Sequence, residues 1–213
     1  SQTFDFGDNL TGYLTIRLRF EREMDAPFQI KIVLGETARE LGENFDDYNG
    51  ELGRGWLQQE FITLDDPQAE IKLPRRYTFR YVRLEVIMNS PFYRYQITGI
   101  AAETVTSADV SQLLPPPAGL TPAEKEIDRI AVNTLKNCMQ QVFEDGPKRD
   151  RRLWIGDLRL QALANAQTFR HFDLVKKCLY LFAGTVNGEG EAVSCVFCRQ
   201  SGDIRPGQAM IYD

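Results

Sequence analysis

Histidine is almost missing from this chain: among 213 residues only His171 is present. A Ser-His-Asp or Cys-His hydrolase would have to use that one imidazole. It lies in a Phe-Arg-His-Phe helical stretch with no nucleophile motif beside it, so it reads as a surface or helix-cap residue. Cysteine is scarce, at four residues, and only Cys195 and Cys198 stand close together. One C-x-x-C without a second pair or nearby histidines is a weak zinc or redox signal, and packed thiols account for Cys138, Cys178, Cys195 and Cys198. There is no G-x-G-x-x-G and no P-loop, which removes sequence support for nucleotide binding. The longest apolar run, Cys178 to Ala183, is far short of the ~20 residues of a membrane span. The first residues, Ser1-Gln-Thr-Phe-Asp-Phe-Gly7, do not have the basic-then-apolar pattern of a signal peptide. Positive charge is not in excess either, since the net charge is -5, and a mildly acidic chain makes a poor generic nucleic-acid binder. The expectation is therefore no cofactor, no metal, no nucleic acid and no membrane span. Any chemistry must rest on carboxylates.

What the chain does contain is enough apolar material for a core: 43% hydrophobic against 26% charged. At this length ~70% of the unfolded surface can be buried. The first half alternates with period two. Leu14, Ile16, Leu18 and Phe20 interleave with Thr15, Arg17 and Arg19; Phe28, Ile30, Ile32 and Leu34 repeat the pattern. So do Ala69, Ile71 and Leu73, and then Val82, Leu84, Val86 and Met88, with further strands near 60–64 and 95–102. Short alternating strands punctuated by Gly, Asn, Asp and Pro predict an antiparallel, jelly-roll-like β-sandwich over residues 1–110. Trp56, Phe92, Tyr93 and Tyr95 could form a sugar platform, although packing is the simpler role. Asp46-Asp47 and Asp65-Asp66 read as turn residues rather than calcium ligands.

The period then changes. A stiff segment over 111–120, centred on Pro115-Pro116-Pro117, leads into Thr121-Pro122-Ala123-Glu124, a capping box with proline at the first helical position. Ile127, Ile130, Ala131, Leu135, Cys138 and Val142 recur at helical spacing. Further helices are expected from about Asp157 to Phe172 and from Asp173 to Ala183, so residues 121–213 read as all-α. Gly184–Gly207 has little regular pattern, and Pro206 to Asp213 resembles the first turn of another helix. A thin three-helix core and the lack of an initiating Met lead to the expectation of a piece of a longer protein. Its uncovered helix faces would then either associate with another chain or leave a large exposed hydrophobic patch between residues 120 and 213.

The densest chemical signal is Asp145-Gly-Pro-Lys-Arg149-Asp150-Arg-Arg-Leu-Trp154-Ile-Gly-Asp157. Carboxylates hydrogen-bond vicinal sugar hydroxyls, and an indole packs on the apolar face of a pyranose. A protonated carboxyl can donate to a glycosidic oxygen while a second carboxylate activates water. The same residues also suit helix capping by Asp157, turn initiation by Asp145 and a solvated basic face.

This run, with Phe4-Asp-Phe-Gly7-x-Asn9-x-x-Gly12 and Tyr77-x-Phe-Arg-Tyr81-Val-Arg upstream, resembles the α-L-rhamnosidases of glycoside hydrolase family 78. The resemblance implies a β-sandwich followed by the start of an (α/α)6 barrel and inverting hydrolysis of terminal α-L-rhamnosides. It casts Asp150 as the general acid and Asp145 and Asp157 as ligands of the sugar hydroxyls, with Arg149 and Trp154 beside them in the substrate site. It also implies a rhamnose-containing carbohydrate as partner, and it points to a periplasmic or secreted location. Two departures stand out. The family's acid is usually glutamate, one methylene longer than Asp150, and its general base is a glutamate further along than Asp213. The competing reading is a non-catalytic carbohydrate-binding or interaction module.

Overall fold

The structure, a computed structural model, describes residues 1–21, 25–50, 53–66, 69–149, 151–186, 189–198 and 204–206. It divides into two compact units, Ser1–Val105 and Thr106–Asp213.

The first unit is an antiparallel sheet built on one long strand. β1 (Gln2–Glu21) pairs along its first half with β5 (Tyr77–Met88) and along its second half with β6 (Arg94–Thr104). β2 (Phe28–Gly35) bridges β5 and β3 (Gln58–Leu64), and the short β4 (Glu70–Lys72) lies on the other side of β1. The change of partner happens at Gly12, which pairs with both Tyr77 and Thr104. A Cβ there would run into the Glu103 carbonyl, so only glycine lets the two neighbouring strands hand over at one residue. The two halves of the sheet then share one core. Leu14, Ile16, Leu18 and Phe20 from β1 are buried with Ile30, Ile32 and Leu34 from β2, Ile71 from β4, and Phe79, Val82 and Leu84 from β5. Phe20 meets Phe28 edge-to-face, with ring centroids 5.1 Å apart. Each such side chain stabilises the fold by about 1.5–3 kcal/mol through removal from water. The period-two expectation holds on the second half of β1, on β4 and through Leu84 on β5; it fails at Met88, expected inward but exposed, and at Val33, which is buried although it alternates with Ile32 and Leu34. What it misses is the length of β1, whose first residues are exposed or at most half-buried.

The second unit is helical with a small ribbon. The segment after β6 folds onto it: Thr106 Oγ1 donates to Lys136 O at 2.8 Å, and Leu114 N–H to Thr168 O at 3.0 Å. α1 (Pro122–Cys138) begins with the expected capping box, in which Glu124 N–H donates to Thr121 Oγ1 and the Glu124 carboxylate accepts from Thr121 N–H. α2 (Ile155–Ala166) starts two residues before the expected Asp157, because Leu153–Trp154 is held in a strand, β7, up to the helix cap. α3 (Phe172–Gly184) follows, with His171 as its N-cap residue and its N–H bonded to Asn165 Oδ1 at 3.0 Å. The all-α expectation needs one correction. β7 pairs with β8 (Cys195–Cys198), which pairs with β9 (Ile204–Pro206), and strands of two to four residues are too short to show a period. Pro206 is thus in a strand, and the rest of the helix start expected over 206–213 lies outside the described residues. Met139, Phe143, Leu153, Leu158, Leu174, Cys178 and Phe182 form the buried centre. Ile127, Leu160, Leu163, Leu179 and Tyr180 stand exposed on the three helices.

Candidate active site

The acidic-basic loop leaves the core through a short, tied stem. Phe143 is fully buried, and its N–H faces Cys178 Sγ at 3.5 Å, where burial pushes the thiol pKa up. Glu144 N–H returns to the end of α1 by donating to Cys138 O at 2.8 Å. Asp145 then makes a bridge with Arg152, its N–H donating to Arg152 O at 2.7 Å, which ties the two ends of the loop together.

Inside that loop the charges are paired locally. Arg149 Nη2 lies 3.0 Å from Asp145 Oδ2 and 3.2 Å from Oδ1, and both side chains are less than a third exposed. The turn that permits this has Gly146 at φ 51°, and a Cβ there would collide with the Arg149 guanidinium. The left-handed backbone favours glycine here, and a Cβ would make the Arg149 side chain shift away from its present position. Arg151 also sits in the left-handed region, at φ 55°, and its Nε donates to Pro147 O at 3.1 Å. A non-glycine residue there costs about 1–2 kcal/mol, a strain of the kind that gathers at functional loops. Arg152 lies over the Trp154 ring, 5.8 Å from its centroid, a cation–π arrangement that turns the indole.

Trp154 ends β7 and caps α2 through its backbone; its pairing with Cys195 and the bond from Ile155 N–H to Ser194 O at 3.0 Å hold it to β8. Its indole N–H is buried without a hydrogen-bond partner among the described residues. Asp157 is exposed in the first turn of α2, where the positive end of the helix dipole favours a carboxylate. Asp150 lies outside the described residues. The structure thus brings Asp145 to Arg149 and Arg152 to Trp154, and sets Asp157 on the helix that Trp154 caps.

Two residues of this region escape sequence reasoning. Glu144 is only 6% exposed, an unusual place for a glutamate, and Gln161 on α2 donates from Nε2 to Glu144 O at 3.2 Å. That bond ties the helix carrying Asp157 to the residue before Asp145. Neither stands out in the sequence, where an isolated Glu or Gln reads as a solvated position. Among the described residues no group of His, Cys, Asp or Glu side chains is arranged to hold a metal ion.

Residues 1–104 match the glycosyl hydrolase family 78 α-rhamnosidase N-terminal domain, and residues 121–199 match the bacterial α-L-rhamnosidase six-hairpin glycosidase domain. Among solved structures, the chain is similar to a rhamnosidase from Klebsiella oxytoca with rhamnose bound. The identity is 47% over 97% of this chain and 40% of that one, with a TM-score of 0.90. A family 78 rhamnosidase of Bacillus sp. GL1 aligns at 22% identity over 86% of this chain and 18% of its own, with a TM-score of 0.68. The α-L-rhamnosidase from Dictyoglumus thermophilum aligns at 19% identity over 99% and 22%, with a TM-score of 0.66. The last two support the fold alone. The chain spans less than half the length of each of these proteins. No curated protein matches it.

Proposed function

Because the chain belongs to glycosyl hydrolase family 78, joining that family's α-rhamnosidase N-terminal domain to the start of its six-hairpin glycosidase domain, we propose that it is part of an enzyme hydrolysing terminal α-L-rhamnosides with inversion. The observation that carries the proposal is the likeness, at 47% identity over 97% of the chain, to a rhamnosidase with rhamnose bound.

In this mechanism the Asp150 carboxyl gives its proton to the glycosidic oxygen as the bond to the anomeric carbon breaks. Water attacks the opposite face, losing its proton to a second carboxylate that the resemblance puts further along the family's barrel than Asp213. The anomeric centre inverts and β-L-rhamnose forms. Asp145 and Asp157 accept hydrogen bonds from ring hydroxyls, Arg149 orients Asp145, and Trp154 packs against the sugar's apolar face.

A general acid must keep its proton near neutral pH, and neighbouring cations work against that by favouring the carboxylate. Of the flanking arginines, Arg149 has a counter-charge in Asp145, while Arg151 on Pro147 O and Arg152 over the Trp154 ring are held by neutral groups and keep their charge.

The test is the stereochemistry of the first product. Proton NMR during early hydrolysis of an aryl α-L-rhamnoside by the enzyme carrying these domains is expected to reveal β-L-rhamnose before mutarotation. First-formed α-L-rhamnose would overturn the inverting mechanism, and no rhamnose release at all would overturn the hydrolase reading.

A further inference from the structure

We infer that the β-sheet unit carries a second carbohydrate-contact site, built around the turn between β5 and β6, which takes a neutral pyranose with one apolar face.

The turn is anchored so as to present one side chain. Phe92 N–H donates to Ser90 Oγ at 3.2 Å. Tyr93 beside it is buried against Phe20, with centroids 5.6 Å apart, and its hydroxyl donates to Ala26 O. Tyr95 likewise turns inward to Phe28, at 5.0 Å. Two of the three aromatics thus secure the turn to the core, and Phe92 is left 69% exposed at its tip. The fold gains little from an exposed phenyl in a turn that its neighbours already hold.

The surroundings are polar and uncommitted. Arg94 lines two adjoining cavities. One, of about 290 Å³, is shared with Glu21 and Phe92; the other, of about 420 Å³, is shared with Gln2, Asn89 and Gln96. Glu21 and Arg94 are cross-strand partners in register, yet among the described residues neither forms an ion pair. The amides of Gln2, Asn89 and Gln96 have no side-chain hydrogen bond there either. A guanidinium, a carboxylate and three amides offer both donors and acceptors for sugar hydroxyls, and the opposite charges of Arg94 and Glu21 leave no net preference for an ionic ligand. An aromatic face beside them supplies the apolar contact that sugar recognition uses. A 6-deoxy pyranose, whose methyl enlarges its apolar face, fits this chemistry; that choice of sugar rests on the rhamnoside reading above.

The test is a titration of the isotopically labelled full chain with methyl α-L-rhamnopyranoside, followed by amide and side-chain NMR shifts. Saturating shifts at Gln2, Asn89, Phe92, Arg94 and Gln96 are expected, with a millimolar dissociation constant. Phe92→Ala is expected to weaken that binding roughly five-fold or more, and Arg94→Gln comparably, with the rest of the spectrum unchanged. Absence of shifts at this turn overturns the second site, whatever happens elsewhere. Shifts at residues 145–157 report separately on the proposed active site, so each reading can fail alone. Shifts at the turn that depend on protein concentration without sugar would identify a contact between copies of the chain and overturn the carbohydrate assignment.

Discussion

Arg149 is bound to Asp145 four residues before it, not along a helix but across a glycine turn, with Nη2 3.0 Å from Oδ2. The pair holds one carboxylate of the candidate site in a fixed orientation, while the bridge to Arg152 fixes the backbone under it.

Arg149→Met removes the pair and leaves the loop's stem intact. The expected cost in urea denaturation is about 1 kcal/mol or less, since the pair is partly exposed. The larger effect is expected in amide exchange within 146–151, which should quicken. Arg149→Lys keeps the charge but loses the fork and should restore only part of the protection. Unchanged exchange in Arg149→Met would remove the orienting role assigned to this arginine.

Gln58 provides a stability test in the first unit. Its buried amide donates to Thr78 O at 2.7 Å and accepts from Thr78 N–H at 3.1 Å. Gln58→Leu leaves both backbone groups buried and unpaired, with an expected loss of about 2–4 kcal/mol. A loss below about 0.5 kcal/mol in chemical denaturation would mean that water or a shifted strand replaces the amide.

Acid should act on the first unit through Asp5. The Arg80 guanidinium, hydrogen-bonded to its carboxylate at 2.7 Å, together with the Gly7 N–H, holds the pKa down to about 2 from the ordinary 3.8. A depressed carboxyl pKa contributes stability above the unfolded value, and that contribution is lost as pH falls from about 4 through about 2. Carboxyl-carbon NMR should follow Asp5 titrating in that window, and Arg80→Gln should move its midpoint back toward 3.8. An unchanged midpoint in Arg80→Gln would contradict the assignment of cause.

The helix start at Thr121 makes an independent check on the second unit. Thr121→Ala removes the side-chain acceptor for Glu124 N–H and should cost about 1 kcal/mol in thermal or urea unfolding. Thr121→Ser should be close to neutral.

The elements legible in the sequence are those whose faces differ most. The second half of β1 reads plainly because Leu14, Ile16, Leu18 and Phe20 are buried while Arg17 and Arg19 are exposed, and α1 because Thr121, Pro122 and Glu124 form a local signature that needs no tertiary contact. The early start of α2 and the pairing of β7 with β8 depend on residues about forty positions apart, such as Leu153 with Val196, which no local period encodes. The candidate loop was legible as composition. Which arginine meets which partner was not, since that is set by Gly146 and Arg151 in the left-handed region. The buried Glu144 and the bond from Gln161 were invisible for the same reason: burial of a lone polar residue is a property of the assembled fold.

The central claim is that the enzyme carrying these domains cleaves α-L-rhamnosides with Asp150 as its acid. Parallel kinetics of Asp150→Asn on an activated aryl rhamnoside and on a rhamnosyl disaccharide test it most directly. The substitution keeps size and removes the proton, so kcat/KM on the disaccharide should fall by ~10²–10⁴-fold, while the aryl rhamnoside, whose leaving group needs less protonation, suffers much less. Equal losses on the two substrates, or none on either, would contradict the account.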